Sequence, residues 1–271
     1  MFKPKRNDMK SILCKHTFSL TALLILFSIV LQAQVQKREL FQLKTYTFEN
    51  AVQEQLTHDY LQKAFIPALK KLQIDRVGVF KTRPNEKDSL NQLLVLIPFK
   101  DFAQFESLDQ KLAQDANYLT RGKDYLKAPY DKAPYNRISS TLLKAFKDMP
   151  VLKPSPLDGP RTERVYELRS YESPTEELYR NKVKMFNEGG EVTLFDELGF
   201  NAVFYGEVLS GSQMPNLMYM TTFANQESRD AHWKLFVDSS TWKTLSAMPE
   251  YQNNISHIDI QFLYPTEYSD Y

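Results

Sequence analysis

The sequence predicts an α+β fold built from two tandem ferredoxin-like units, each of order βαββαβ, packed sheet to sheet as a barrel-like pseudo-dimer. Three observations carry this. FQLKTYTF at Phe41–Phe48 returns as YELRSYES at Tyr166–Ser173, six positions in register. Landmarks in three successive elements share one offset: Tyr46 to Tyr171 is 125 residues, Leu72 to Leu198 is 126 and Leu93 to Leu217 is 124. The same alternation of period-two and helical-period segments occurs on both sides of a proline-rich stretch.

In the first copy, Leu40–Phe48 alternates as a strand does. Val52–Leu72 carries a helical stripe (Leu56, Tyr60, Leu61, Ala64, Phe65, Ala68, Leu69, Leu72) in which Pro67 marks a bend or break. Arg76–Thr82 reads as a second strand, followed by the turn-rich Arg83-Pro-Asn-Glu-Lys-Asp, and Leu93–Phe99 as a third. Phe102–Leu126 begins as an amphipathic helix. Arg137–Leu143 closes the unit as a strand, although Leu142–Phe146 also suits the start of a helix. The second copy repeats the order: strand Val165–Tyr171, helix Thr175–Leu198 ended by Gly199, strands Asn201–Leu209 and Leu217–Phe223, helix Ser228–Leu245 capped by Ser228, and strand Ile255–Leu263. The expected organisation is therefore a unit at 38–148, a stiff linker at 149–163 and a unit at 164–271.

Alternation also assigns faces. Phe41, Leu43, Tyr166 and Leu168 are expected against the helices, with Ile258, Ile260 and Phe262. Gln42, Lys44, Tyr46, Glu167, Arg169, Tyr171, His257, Asp259 and Gln261 are expected on the opposite face, where the two sheets meet. Pairing of each copy with another molecule, as in a homodimer, is the alternative to pairing within the chain.

Residues 1–33 stand outside the fold. Five basic residues precede the uncharged run FSLTALLILFSIVL (Phe18–Leu31), and Ala33 offers a small residue for cleavage. This is the layout of a secretory signal peptide, with an uncleaved membrane anchor as the alternative. The run is shorter than the ~20 residues of a spanning helix. Its removal turns the formal charge from +1 to −3, which argues against nucleic acid or anionic membrane as a partner. The sole cysteine, Cys14, leaves with it, so the mature chain has no disulfide, thiol nucleophile or cysteine metal ligand. An exported chain of this kind suits a bacterial periplasm or exterior.

The second copy carries VYELRSY, DELGFNAVFYGEV, NLMYMTTF, HWKLFVDSSTW and LYPTEYSDY in order, from Val165 to Tyr271. In these it resembles the NIPSNAP family; the first copy, which lacks the tryptophan pair, resembles it more loosely. The resemblance implies the dimeric α/β-barrel architecture, with ferredoxin-like units paired through their sheets. Animal members are linked to mitochondria and vesicle traffic. Exported bacterial members have no agreed biochemical role, and wider relatives include small monooxygenases and haem-handling enzymes.

Catalytic motifs are absent from the sequence: there is no G-x-G-x-x-G, phosphate loop, H-E-x-x-H or G-x-S-x-G. The candidates that remain are weaker. Asn187-Glu188-Gly-Gly-Glu191 puts two glycines inside a helical pattern, either to admit a ligand or to join two shorter helices. His232 and Trp233, with Tyr205 and Tyr219 on neighbouring strands, could complete a ligand pocket or pack as core aromatics. Glu167, Arg169, His257 and Asp259 form an expected polar barrel face, for binding or for fixing how the sheets pair. Met214, Met218 and Met220 are read as core filling. Asn254-Ile-Ser is a glycosylation sequon, relevant only in a eukaryotic secretory host. No metal or cofactor is implied, and the partner is an unidentified protein or small molecule. The resulting expectation is an exported, non-catalytic binding module. A small-ligand or haem-handling enzyme, with its site between sheet and helices of the second copy, is the alternative.

Overall fold

β1 (Leu40–Thr47) runs antiparallel between β3 (Gln92–Phe99) and β4 (Arg137–Ala145), with Leu43 opposite Leu96 on one side and Thr141 on the other. β2 (Gly78–Thr82) pairs with the far edge of β3, giving the order β4-β1-β3-β2. The computed structural model describes residues 37–83 and 92–271, so the expected signal peptide and the link after Arg83 lie outside the described residues. The second half repeats the order with β5 (Val165–Glu172), β6 (Ala202–Ser210), β7 (Asn216–Phe223) and β8 (His257–Pro265), arranged β8-β5-β7-β6. β2 then pairs with β8, and β4 with β6. The result is one closed barrel of eight antiparallel strands. Each half supplies the partner that the other half's edge strands need, which removes the exposed edges of two open sheets. Residues Arg38–Tyr271 form one compact unit.

Local chemistry explains the helices. Asn50 accepts hydrogen bonds from the Val52 and Gln53 amides and opens α1 (Ala51–Tyr60). A π-helical turn, Leu61–Phe65, carries the chain into α2 (Ile66–Lys71). Pro67 lacks the N–H that an α-helix would donate four residues back, and the wider turn immediately before it absorbs the missing bond. The expected long helix after Phe102 is four short ones: α3 (Phe102–Glu106), α4 (Leu108–Ala113), α5 (Ala116–Arg121) and α6 (Lys123–Leu126). Asp115 accepts from the Asn117 and Tyr118 amides, starting a new helix where the amphipathic period alone would continue the old one.

In the second half, α7 (Glu176–Asn187) and α8 (Glu191–Glu197) are separate helices. Gly190 takes φ +87°, and a Cβ on Gly189 would fall 2.5 Å from the Met185 carbonyl oxygen. The two glycines are a helix joint. Gly199, at φ +74°, ends α8 as expected. α9 (Gln226–Asp238) is capped by Asn225, not Ser228, whose own amide is the donor; Ser239 then starts α10 (Ser240–Ala247). Leu142–Ala145 is strand, so the helical reading of that stretch is overturned: its backbone pairs with β1 and β6 on both sides. Among the described residues, no helix is long and apolar enough to cross a membrane.

The face assignment of the first strand of each half is the reverse of the sequence expectation. Phe41, Leu43, Tyr166 and Leu168 point into the barrel with Phe80, Leu94, Leu96, Leu143, Val203, Phe204, Met220 and Leu263. Tyr46 and Tyr171 lie under the helices. Both faces of a barrel strand are buried, so alternation fixes the period but does not say which set meets the helices. Tyrosine, lysine and arginine suit the helix side because long stems bury while their tips find partners.

Candidate functional site

The polar set expected on the barrel face divides between the two faces. Directly paired residues on adjacent antiparallel strands share a face. Glu167 is paired with Phe262 and Arg169 with Ile260, whereas Asp259 is paired with Ser170 and His257 with Glu172. Glu167 and Arg169 therefore lie on the helix side, and His257 and Asp259 on the barrel side.

On the helix side, Glu167 is fully buried at the centre of an ionic cluster. Arg169 Nε donates to its Oε1 at 2.7 Å, Arg229 donates through Nε and NH2 at 2.9 and 2.8 Å, and the Trp233 indole donates at 2.7 Å. Arg169 also lies over the Trp233 ring, 3.7 Å from its centroid. Burial pushes the Glu167 carboxyl up, but the two guanidiniums and the indole outweigh it and hold it below the usual range. Every strong donor here has an acceptor, so the cluster ties α9 to β5. Arg229, which completes it, is missed by the sequence reading because its partner is 62 residues away.

The expected ligand pocket of the second half is likewise divided. His232 Nδ1 donates to the Ser228 carbonyl, and its ring packs edge-on to Phe200, as a helix-edge histidine beside core aromatics does. Tyr205 and Tyr219 sit in the aromatic core with Phe186 and Phe195, and the Tyr219 hydroxyl bonds that of Tyr171 at 2.7 Å. Asn187 holds the Val183 carbonyl and the Asp148 amide. Glu188 is exposed, whereas Glu191 turns inward to Lys182 at 2.8 Å. The seven residues therefore do not share one pocket: Tyr205 borders a cavity of about 190 Å³ with Met149, Val192 and Asp196, which none of the other six lines. Met220 fills the barrel, but Met214 is exposed, and Asn254 of the sequon is buried with its amide on Asn181.

Another cavity lies inside the barrel. Inward residues grade from apolar to polar toward one end, strand after strand: Phe41, Leu43, Thr45 on β1; Leu96, Leu94, Gln92 on β3; Leu143, Thr141, Ser139 on β4. The second half matches with Leu168, Ser170, Glu172 on β5, Met220, Met218, Asn216 on β7 and Leu263, Gln261, Asp259, His257 on β8. The apolar end is plugged by Leu152 of the linker and by Tyr271, which packs against Phe80 and Tyr166. Arg161 fastens that end by donating to the carbonyls of Thr266, Ser269 and Tyr271. The polar end opens as a cavity of about 230 Å³ with an apolar floor of Leu43, Leu94, Leu168 and Val208. Its walls present hydroxyls and amides, and among the described residues Asp259 is the only charged one that lines it. This inward gradient is written in the sequence, but it is invisible until the register shows that all these strands end polar at the same rim.

Residues 166–270 match the NIPSNAP family model, and no curated protein matches the chain. Among solved structures, the chain is similar to a candidate monooxygenase from Lactobacillus acidophilus at 11% identity, over 84% of this chain and 94% of that one, with a TM-score of 0.56. A candidate monooxygenase from Fusobacterium nucleatum is similar at 10% identity, over 85% of this chain and 94% of that one, also at 0.56. At these identities the likeness shows the barrel fold alone. A NIPSNAP family protein from Agrobacterium tumefaciens is 20% identical over 39% of this chain and 96% of its own, with a TM-score of 0.35. The second half of this chain, residues 166–270, is a domain of the NIPSNAP family.

Proposed function

We propose that the protein is an exported, non-catalytic binding module that takes a small polar molecule into the open end of its barrel. The observation that carries this reading is the cavity of about 230 Å³, with its apolar floor and with walls of hydroxyls and amides beside Asp259. An apolar pocket with a few convergent polar groups is the usual form of a small-molecule site. Ser139, Thr141, Ser170 and Gln261 offer both donors and acceptors, which suits a ligand bearing hydroxyl or amide groups. Among the described residues, Ser170 of the cavity wall is bonded by the Asn216 amide and not by a base, which favours binding over turnover. The export part rests on the basic and apolar leader at residues 1–33. Because one chain supplies both halves of the barrel, a second copy or another protein would have to use a different surface.

The test is native mass spectrometry of the purified chain, followed by a thermal-shift screen of polyols, amino acids and small amides. The expected result is a hit that raises the melting temperature of the native protein and not of a Thr141→Phe variant, whose ring fills the cavity. A hit retained in the filled variant, or no hit in the panel, would sink the reading. A haem absorption band in the purified protein would favour the enzymatic alternative.

A further inference from the structure

We propose that the rim of the barrel binds one divalent first-row metal ion between Glu172, His257 and Asp259. The three residues each offer a ligand atom, and these atoms all lie within 4.8 Å of one another. His257 Nε2 and Asp259 Oδ1 are 3.3 Å apart. Metal–ligand bonds of about 2.0–2.2 Å put neighbouring donors roughly 3.0–3.5 Å apart, so this pair is already at coordination spacing. Strand register sets the arrangement. Glu172 stands directly opposite His257, and Asp259, two residues along the same strand, stands opposite Ser170. Ligands carried on paired strands are held more firmly than ligands on loops.

A second observation points to the same place. Asn216 is opposite Glu172 on the other neighbouring strand, so Asn216, Glu172 and His257 form one row across β7, β5 and β8. Asn216 is 3% exposed and lines the cavity with Asp259. Its Nδ2 donates to Ser170 Oγ at 2.8 Å, while its Oδ1 is buried and has no hydrogen-bond partner among the described residues. A metal-bound water is a strong donor, and this is an unpaired acceptor in the row beside the proposed ligands.

Charge and donor type narrow the ion. Among the described residues, neither lysine nor arginine lines the cavity, and Asp259 is its one charged residue. One imidazole with two carboxylates suits Zn²⁺, Mn²⁺ or Fe²⁺; calcium prefers oxygen alone, and copper(I) prefers sulfur. His257 and Asp259 are about half exposed, which leaves an entry path and open coordination positions for water. The site is independent of the cavity reading, since an ion can sit at the rim with the cavity empty.

The test uses the full chain, stripped with chelator and titrated calorimetrically with ZnCl₂ and with MnCl₂. One ion per chain is expected, with His257→Ala, Asp259→Asn and Glu172→Gln each weakening binding more than about tenfold. Glu250→Gln, an exposed acid elsewhere, should leave it unchanged. Circular dichroism confirms that each variant is folded. The native protein gives an independent readout: electron spin-echo spectra of its Mn²⁺ complex should show coupling to an imidazole nitrogen. The proposal is overturned by no binding at millimolar ion, by affinity unchanged in the variants, or by Mn²⁺ spectra without nitrogen coupling.

Discussion

Lys182 Nζ lies 2.8 Å from Glu191 Oε2, and only 2% of either side chain reaches solvent. The lysine is surrounded by Met185, Phe186 and Trp242, in the apolar layer between α7, α8 and the sheet. Burial pushes the Glu191 carboxyl up, against the pull of Lys182. Removing one partner strands the other in that layer. Lys182→Met or Glu191→Gln should each cost about 3–5 kcal/mol in urea unfolding, and the double variant Lys182→Met/Glu191→Leu should recover most of the loss. A double variant as unstable as the singles would mean that the pair itself, not the stranded charge, holds α7 to α8.

The Glu167 cluster predicts a pH dependence. Its folded carboxyl is held below the ordinary 4.5, so the unfolded chain takes up a proton first as pH falls. The stability it contributes is complete above about 4.5 and is lost as pH drops through and below that value. Glu167→Gln should therefore be less stable than the native protein by about 3 kcal/mol at pH 7, with the gap closing toward pH 3. A gap that widens on acidification would contradict the assignment.

Glycine at the α7–α8 joint is required by backbone shape. Gly190→Ala should cost about 1 kcal/mol, the ordinary penalty for a Cβ at positive φ. Gly189→Ala should cost more, because its Cβ would collide with the Met185 carbonyl. The order of the two melting temperatures checks this, and a neutral Gly189→Ala would show that the joint can yield.

At the plugged end of the barrel, Tyr271 is 3% exposed, yet its hydroxyl has no hydrogen-bond partner among the described residues. Its ring, not its hydroxyl, is what packs. Tyr271→Ala should lose about 3 kcal/mol, whereas Tyr271→Phe should be neutral or slightly stabilising in the same denaturation experiment. Loss of stability in the phenylalanine variant would reveal a partner for the hydroxyl.

The sequence by itself determined the number, order and type of the strands, the duplication that relates Tyr46 to Tyr171, and the family of the second half. These are legible because period-two and helical-period patterns are properties of the local chain, set by where successive Cβ atoms point. Only the tertiary structure decided which face each set occupies. Phe41 and Leu43 enter the barrel while Tyr46 meets the helices, a choice that depends on what the opposite half buries. The same holds for the candidate sites. Glu167 and Arg169 part from Asp259 and His257, and Glu172 comes to face His257, through the register of β5 against β8. Register is fixed by closing the barrel through eight strands, and no short stretch of sequence records it.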